Sequence, residues 1–264
     1  MTGAAKGTVT RFLLDLGAAC ADYQDAALRD LPCRRIQADE IWTYVYAKAK
    51  NVPERLAGTP GLGDAWTWVA ICQDCKIVPS WLVGLRDSPH AMAFMDDLAS
   101  RLMNRVQLVT DGHRAYLDAV DMAFGEAVDY AMLIKEYAGE VSPRTTEARY
   151  SPSRVLSVEK QRVKGDPDLG AISTSNIERS NLTMRMSMRR FTRLTNGFSK
   201  KRTNLEAAVA LHFMWYSFGR VHGSIGTTPA VKAGIAPYRW TMDEIVELLA
   251  HQEPASTRPA RRAA

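Results

Sequence analysis

The chain has 264 residues, of which 46% are hydrophobic and 24% charged, and its formal net charge is +5. This balance is typical of a soluble globular protein with one substantial domain. No apolar run approaches the about 20 residues that span a bilayer, and no signal-peptide pattern opens the chain. We therefore expect a cytoplasmic protein with no membrane partner.

The four cysteines are too few for a disulfide framework in a chain of this size. Cys72 and Cys75 form a C-x-x-C pair, but no second C-x-x-C or C-x-x-H follows at the spacing of a zinc ribbon. The sequence therefore favours two reduced cysteines near a hairpin turn over a structural zinc site.

Two helical patterns open the chain. The first covers residues 8–19, where Gly17 marks an end or a break, and the second runs from Tyr23 to Leu31, where Pro32 stops it.

A strand is predicted next, over residues 35–47, because β-branched and aromatic side chains dominate this segment. Asp39 and Glu40 lie on opposite faces of it, and both faces are otherwise apolar, as in a central strand. A carboxylate in such a strand is costly unless it is paired or binds a cation. Residues 48–64 are rich in Gly, Pro and polar side chains and predict a surface loop.

Strands and helices then alternate along the chain. A hairpin is predicted from strands 65–72 and 76–84, and Pro79 assigns the second strand to an edge or a bulge. The following elements are a helix over 88–104 with Ser88 as its N-cap, a strand over 106–110 ending at Asp111, a helix over 113–124, and a strand over 128–134.

The rest of the chain is predicted to be mainly helical after a long insertion. Residues 138–172 lack clear periodicity and predict an inserted loop, with room for a short strand around 154–159. Three helices follow, and the last has the capping-box residues Thr241 and Glu244. Their predicted positions are a start at Ser175, a span of 204–221 and an end at Leu249, before a disordered basic tail from Glu253.

This order of elements predicts a five-stranded mixed sheet with helices on both faces, the arrangement of the RNase H-like fold. We divide the chain into a short helical segment (1–34), the α/β domain with its inserted loop (35–221), and a C-terminal extension with one helix (222–264).

Three carboxylates stand where an open α/β sheet can gather them. Asp39 lies in the first strand, Asp111 ends the fourth, and Glu178 lies in the first turn of a later helix. Clustered carboxylates repel unless a divalent cation neutralises them, and Mg²⁺ prefers hard oxygen ligands. Two such ions about 4 Å apart serve phosphodiester chemistry.

Each carboxylate also has a structural interpretation. Asp39 can pair with a buried arginine, and periodicity does not separate it from Glu40 as the functional acid. Asp111 precedes Gly112 in a sequence that suits a turn. Glu178 completes a capping box with Ser175, in which it would satisfy a backbone N–H.

The helix after Ser175 is strongly basic. At 100° per residue its polar face predicts Glu178 in line with Asn181, Arg185 and Arg189, opposite an apolar face. A charge run without acids favours a track for DNA phosphates over a solvated surface. Further side chains widen the basic field: Arg179, Arg190, Arg193, Lys200, Lys201 and Arg202.

Three segments resemble the insertion-sequence-one family of bacterial DDE transposases. They are IQADEIWTYV around Asp39, LVTDGHRAY around Asp111, and SNIERSNLTMRMSMRRFTRLTNGFSKK around Glu178. The resemblance covers about residues 8 to 235. It implies the triad Asp39, Asp111 and Glu178, the cofactor Mg²⁺ (or Mn²⁺), a DNA-contacting Arg185, and assembly as a homo-oligomer on double-stranded transposon ends and target DNA.

The chain departs from that family in two respects. The interval between Asp111 and Glu178 is longer than in its founding members. Family members also carry a zinc-binding segment and a helix-turn-helix before the catalytic domain, so the resemblance implies that residues 1–34 are a remnant of a DNA-binding region. A nuclease or resolvase without strand transfer, and a non-catalytic DNA-binding regulator, are the alternative functions.

Overall fold

The computed structural model describes residues 3–137, 155–192 and 195–251. These residues form a mixed α/β structure around a six-stranded sheet with the order β3-β2-β1-β4-β5-β6. The strands are β1 (Arg35–Val45), β2 (Gly63–Cys72), β3 (Trp81–Gly84), β4 (Val106–Thr110), β5 (Val128–Tyr137) and β6 (Val155–Lys164).

Helices flank the sheet on both faces. They are α1 (Lys6–Ala27), α2 (Ser88–Ser100), α3 (Ala115–Phe124), α4 (Ser175–Ser187), α5 (Arg202–Met214), α6 (Pro229–Lys232) and α7 (Met242–Glu247). A π-helical turn, Trp215–Gly219, extends α5. No described helix is both long enough and apolar enough to cross a membrane.

Strand β1 is central, as its two apolar faces predict. It pairs antiparallel with β2 along its whole length and parallel with β4 only at Arg35, Ile36 and Gln37. Beyond Gln37 the two parallel strands have no further paired residues. Because Gln37 is opposite Val109, continuing this register by two residues would place Asp39 opposite Asp111.

Two of the three hydrophobic clusters among the described residues cover opposite faces of β1, and the third is a small cluster at β4 and β5. The largest contains residues of α1, α2, α3 and α5 together with Ile36 and Ala38 of β1. The second lies under α4 and α5 and contains Ile41 and Val45 of β1. Side chains alternate along a strand, so Asp39 belongs to the face under α4 and Glu40 to the opposite face.

The first helix is continuous, and the predicted break at Gly17 is wrong. Gly17 lies inside α1, where a Cβ atom would come within 2.5 Å of the Cα of Ala207 in α5. The glycine is therefore needed for the close approach of two helices. A glycine within a helical pattern suggests an end or a break, because the sequence does not show which helix packs against it.

The sheet has six strands where five were predicted. The extra strand, β6, pairs antiparallel with β5 and lies inside the predicted insertion 138–172. Nearly all its residues are exposed, so it lacks the alternation of apolar and polar positions that reveals a half-buried strand. Residues 138–154 lie outside the described part of the chain.

Several element boundaries also differ from the prediction. The N-cap of α2 is Asp87, whose carboxylate accepts from the backbone N–H of His90 at 3.1 Å, so Ser88 is already helical. The basic helix α4 ends at Ser187. The capping box of Thr241 and Glu244 is confirmed.

The described part of the C-terminal segment, residues 222–251, holds two α-helices, where one was predicted. Ala230 of α6 and Ile245 of α7 are fully buried in the largest hydrophobic cluster. Leu16 and Cys20 of α1 belong to the same cluster. The segments on both sides of the α/β region therefore contribute to its core. The predicted tail from Glu253 lies outside the described residues.

Candidate functional site

Three carboxylates meet where β1 separates from β4. Asp39, Glu40 and Asp111 each offer an oxygen, and these oxygens all lie within 4.8 Å of one another. Asp39 and Glu40 reach the site from opposite faces of β1, whereas Asp111 follows the last residue of β4. The open end between two parallel strands thus gathers acids that are about 70 residues apart in sequence, as open sheets commonly do.

Asp39 is held by two hydrogen bonds. Its Oδ1 accepts from the backbone N–H of Glu40 at 2.8 Å, and its Oδ2 accepts from Nδ2 of Asn181 in α4 at 2.9 Å. Burial, followed by the repulsion of Asp111, raises the pKa of Asp39 to about 6 despite these bonds. The protein fixes the orientation of this carboxylate without neutralising its charge.

Glu40 is more strongly perturbed. Burial and the nearby Asp111 raise its pKa to about 8, although Arg86 and Tyr116 act in the opposite direction. Its side chain is 1% exposed, and its Oε2 lies 3.3 Å from Nη2 of Arg86. Within the described part of the chain, its Oε1 is buried without a hydrogen bond of ordinary geometry, and the neighbouring hydroxyl of Tyr116 is buried likewise. A buried acceptor without a donor is costly, and a cation would satisfy it.

Asp111 is oriented by its own turn. Its Oδ1 accepts from the backbone N–H of His113 at 2.9 Å, while its Oδ2 lies 3.6 Å from Nη2 of Arg86. Arg86, which follows β3, therefore bridges Glu40 and Asp111, and its guanidinium lies 4.9 Å from the ring centroid of Trp66. Arg86 could not be identified from the sequence, because its role depends on the chain path after the β2–β3 hairpin, which brings it back beside Glu40 and Asp111.

Glu178 does not join this group. Its Oε1 accepts from Oγ1 of Thr174 at 2.6 Å and also contacts Nζ of Lys135, at the end of β5. Burial acts to raise its pKa, but the hydrogen bonds from Lys135 and Thr174 hold the pKa below the ordinary value. The predicted capping box with Ser175 is absent, since the N-cap of α4 is Thr174 and no side chain caps the helix.

Glu178 is nevertheless close enough to raise the pKa of Asp39 through its charge. The helix that carries it packs its apolar side on the sheet, with Ile177 and Met184 buried as predicted. Asn181 links the same helix to Asp39. The third predicted acid thus lies beside the cluster and is turned toward Lys135.

The cluster fits a hard divalent cation. Its donors are carboxylate oxygens, and burial and the repulsion of Asp111 hold Asp39 and Glu40 back from ionising. Arg86, between Glu40 and Asp111, does not restore the ordinary pKa of Glu40. Among the described residues, Asp39, Glu40 and Asp111 are the carboxylates whose oxygens lie close enough together to hold such an ion, whereas Glu178 is bound to Thr174 and Lys135.

The predicted DNA-binding residues are only partly exposed. Arg179, Arg189, Lys200 and Lys201 are exposed to solvent, and Arg185 is half-buried. Asn181 is buried and bound to Asp39, so in this structure it supports a carboxylate and does not form part of an outer surface.

Two further residues of that set have partners within the protein. Nη1 of Arg190 donates to Oγ of Ser199 at 2.7 Å, and Nη2 of Arg202 donates to the carbonyl oxygen of Val83 at 2.6 Å. Arg202 also donates to Glu206 at 2.8 Å. Arg193 lies outside the described residues.

Comparisons with known proteins add little to this geometry. No protein-family model and no curated protein matches the sequence. Among solved structures, the chain is similar to one described as "Mos1 transposase paired-end complex with left transposon end", with 17% identity and a TM-score of 0.23. The match covers 42% of this chain and 40% of that one, so the chain spans less than half of its length. A TM-score of this size bears on neither fold nor function.

Proposed function

We propose that the chain is a metal-dependent DNA transposase of the DDE type, with an RNase H-like core. The observation that carries the proposal is the cluster of Asp39, Glu40 and Asp111 at the point where β1 and β4 separate. The antiparallel β1-β2-β3 meander followed by parallel β4 and β5 supports the RNase H-like assignment. The resemblance of the three acid-bearing segments to the insertion-sequence-one family supports the chemistry.

Asp39 and Asp111 would hold Mg²⁺, and Glu178 would be the third acid of the site. The chemistry supplied by bound Mg²⁺ is activation of the attacking oxygen and stabilisation of the leaving oxygen of a phosphodiester. Asn181 fixes one oxygen of Asp39, and the His113 amide fixes one oxygen of Asp111, so both carboxylates are oriented in advance. Mn²⁺ has the same preference for oxygen ligands.

Two phosphodiester exchanges would follow in one site. In the first, a water oxygen bonds to phosphorus at the element end, and the bond from phosphorus to the 3′ oxygen breaks, leaving a 3′-OH and a 5′-phosphate. In the second, that 3′ oxygen bonds to a target phosphorus while the target's own 3′ oxygen leaves. The exposed cations Arg179, Arg189, Lys200 and Lys201 would hold the DNA backbone.

The test uses the purified chain with DNA fragments that flank its coding sequence. We expect Mg²⁺-dependent nicking and joining of a 3′-OH oligonucleotide to a plasmid. Nicking without joining would identify a nuclease or resolvase. If DNA binding is retained but neither reaction occurs with Mg²⁺ or Mn²⁺, the chain is a DNA-binding regulator. Scrambled fragments and reactions in chelator serve as controls.

A further inference from the structure

The C-x-x-C pair has a third partner that the sequence hides. Cys33, just before β1, lies with Cys72 and Cys75 so that their three sulfur atoms are within 4.8 Å of one another. All three side chains are buried. Cys33 does not stand out in the sequence, because it lies about 40 residues upstream of the C-x-x-C pair and outside zinc-ribbon spacing.

The antiparallel pairing of β1 with β2 produces this cluster. Ile36, at the start of β1, is opposite Cys72, the last residue of β2. The backbone N–H of Gln73 donates to the carbonyl of Arg35 at 2.8 Å, which extends the pairing toward Cys33. The chain segment before β1 and the turn after β2 therefore meet at the same end of the hairpin, and each contributes thiols.

The turn itself is shaped to present two thiols on one side. The N–H of Lys76 donates to the carbonyl of Cys72 at 3.0 Å, and the N–H of Cys72 donates to Ile77 at 2.9 Å. Lys76 has a φ of +64°, a left-handed conformation that a lysine adopts at a cost. This strained residue, which directly follows Cys75, closes a tight loop around the pair.

Cys20 in α1 provides the contrast. It is also buried, but within the described residues it belongs to no such group of possible metal ligands. A cysteine that merely fills a core resembles Cys20.

We propose that Cys33, Cys72 and Cys75 bind one thiophilic d¹⁰ cation, Zn²⁺ or Cu⁺, separately from the carboxylate cluster. Cysteine sulfur is a soft ligand that selects these ions over Mg²⁺. Within the described residues the group contains no fourth His, Cys or carboxylate. Zn²⁺ would therefore need a fourth ligand such as water, whereas Cu⁺ is satisfied by three thiolates. A bound ion would link the residues just before β1 to the turn between β2 and β3.

The experiment titrates the reduced, metal-free full chain with Co²⁺ as a spectroscopic substitute for Zn²⁺, and separately with Cu⁺ against a chromophoric chelator. We expect one equivalent to bind with a thiolate-to-cobalt charge-transfer band, which carboxylate ligands do not produce. Zinc is identified if Zn²⁺ displaces Co²⁺ and the chain takes no Cu⁺ from the chromophoric chelator. Copper is identified if the chain retains Cu⁺ against that chelator. The same titration of an Asp39→Asn/Asp111→Asn double variant should give an unchanged charge-transfer band, because these carboxylates are not ligands of the cysteine site.

Cysteine variants test the ligand set. Cys33→Ser, Cys72→Ser and Cys75→Ser should each weaken binding by about a hundredfold or more, whereas Cys20→Ser should leave it unchanged. Circular dichroism identifies variants that do not fold, and Cys33→Ala replaces Cys33→Ser if that variant fails. The proposal is overturned if the folded, reduced wild-type chain shows no charge-transfer band and binds no Cu⁺, or if Cys33→Ser binds as tightly as the wild type.

Discussion

Two glutamates near the candidate site have opposite surroundings. Glu40 is buried in β1 beside Asp111, and its pKa is raised to about 8 because burial and a like charge disfavour ionisation. Glu178 is half-exposed in α4, where hydrogen bonds from Lys135 and Thr174 lower its pKa even though burial opposes them. Arg86 lies 3.3 Å from Glu40 but does not restore the ordinary pKa of that carboxyl, whereas Lys135 helps to hold the pKa of Glu178 below its ordinary value. Proximity alone therefore does not decide which glutamate completes a metal site.

The largest effect is expected at Asp39 and Asp111, the two carboxylates that either glutamate would join in a metal site. Asp39→Asn and Asp111→Asn should each reduce Mg²⁺-dependent nicking by more than about a hundredfold, because each removes a charged ligand that is already oriented. Nicking rates measured under single-turnover conditions check this. Asp121→Asn, in α3 and paired with Lys164, is the matched control. Substantial activity in either variant would remove the carboxylate cluster from the mechanism.

The second comparison separates the two glutamates directly. If Glu178 is the third acid, Glu178→Gln should lower Mg²⁺ affinity and nicking by about tenfold or more, and Glu40→Gln should have a smaller effect. Calorimetric titration and the nicking assay measure both. The reverse ranking would assign the third ligand to Glu40 and leave Glu178 as a structural partner of Lys135.

The pH dependence of stability tests the environment of Glu40. Its pKa rises from about 4.5 to about 8 on folding, so between these values the folded chain binds more protons than the unfolded chain. The contribution of Glu40 to the free energy of unfolding is thus retained below about pH 4.5 and lost as pH rises toward 8. Without metal, Glu40→Gln should be more stable than the wild type at pH 8, by on the order of 2 kcal/mol.

Denaturant melts of both chains at pH 5 and pH 8 measure that difference. Mg²⁺ should oppose it, because a divalent cation binds the ionised carboxylates and its affinity should rise over the same pH range. Equal stability profiles for the wild type and Glu40→Gln would mean that the side chain is hydrated and that its carboxylate has no unusual cost.

The smallest effect concerns Lys135. If its ammonium group competes with metal for Glu178, Lys135→Ala should tighten Mg²⁺ binding by about twofold to fivefold, the size expected for a partly exposed ion pair of up to about 1 kcal/mol. Lys48→Ala, which lies over Trp42 and away from Glu178, is the control. A loss of affinity in Lys135→Ala would show that the lysine positions Glu178 and does not compete for it.

Much of the fold could be predicted from sequence because its signals are local. The two apolar faces of β1 and the alternation of helices and strands predict a mixed sheet with β1 inside it, as observed. Strand β6 could not be predicted with its full length, since an exposed strand has no hydrophobic periodicity. Gly17 was misinterpreted because its role depends on Ala207, about 190 residues away.

The candidate site shows the same division. Asp39 and Asp111 could be placed together because the order of helices and strands along the chain predicts that their two strands are parallel neighbours. The ends of such strands meet at one edge of the sheet. The partners Arg86, Lys135 and Cys33 could not be found this way. Each depends on the return path of a hairpin or the end of another strand, which sets side-chain proximity without leaving a repeat in the sequence.

The exposed outer strand β6 has one more consequence, for self-association. In the described part of the chain it is the last strand of the sheet, and the last strand offers unpaired backbone groups to other chains. Four charged side chains lie along it, Glu159, Lys160, Arg162 and Lys164. Placing another strand alongside would desolvate these charges. The lack of burial that hides β6 from sequence analysis thus leaves room for the charges that discourage aggregation at this edge.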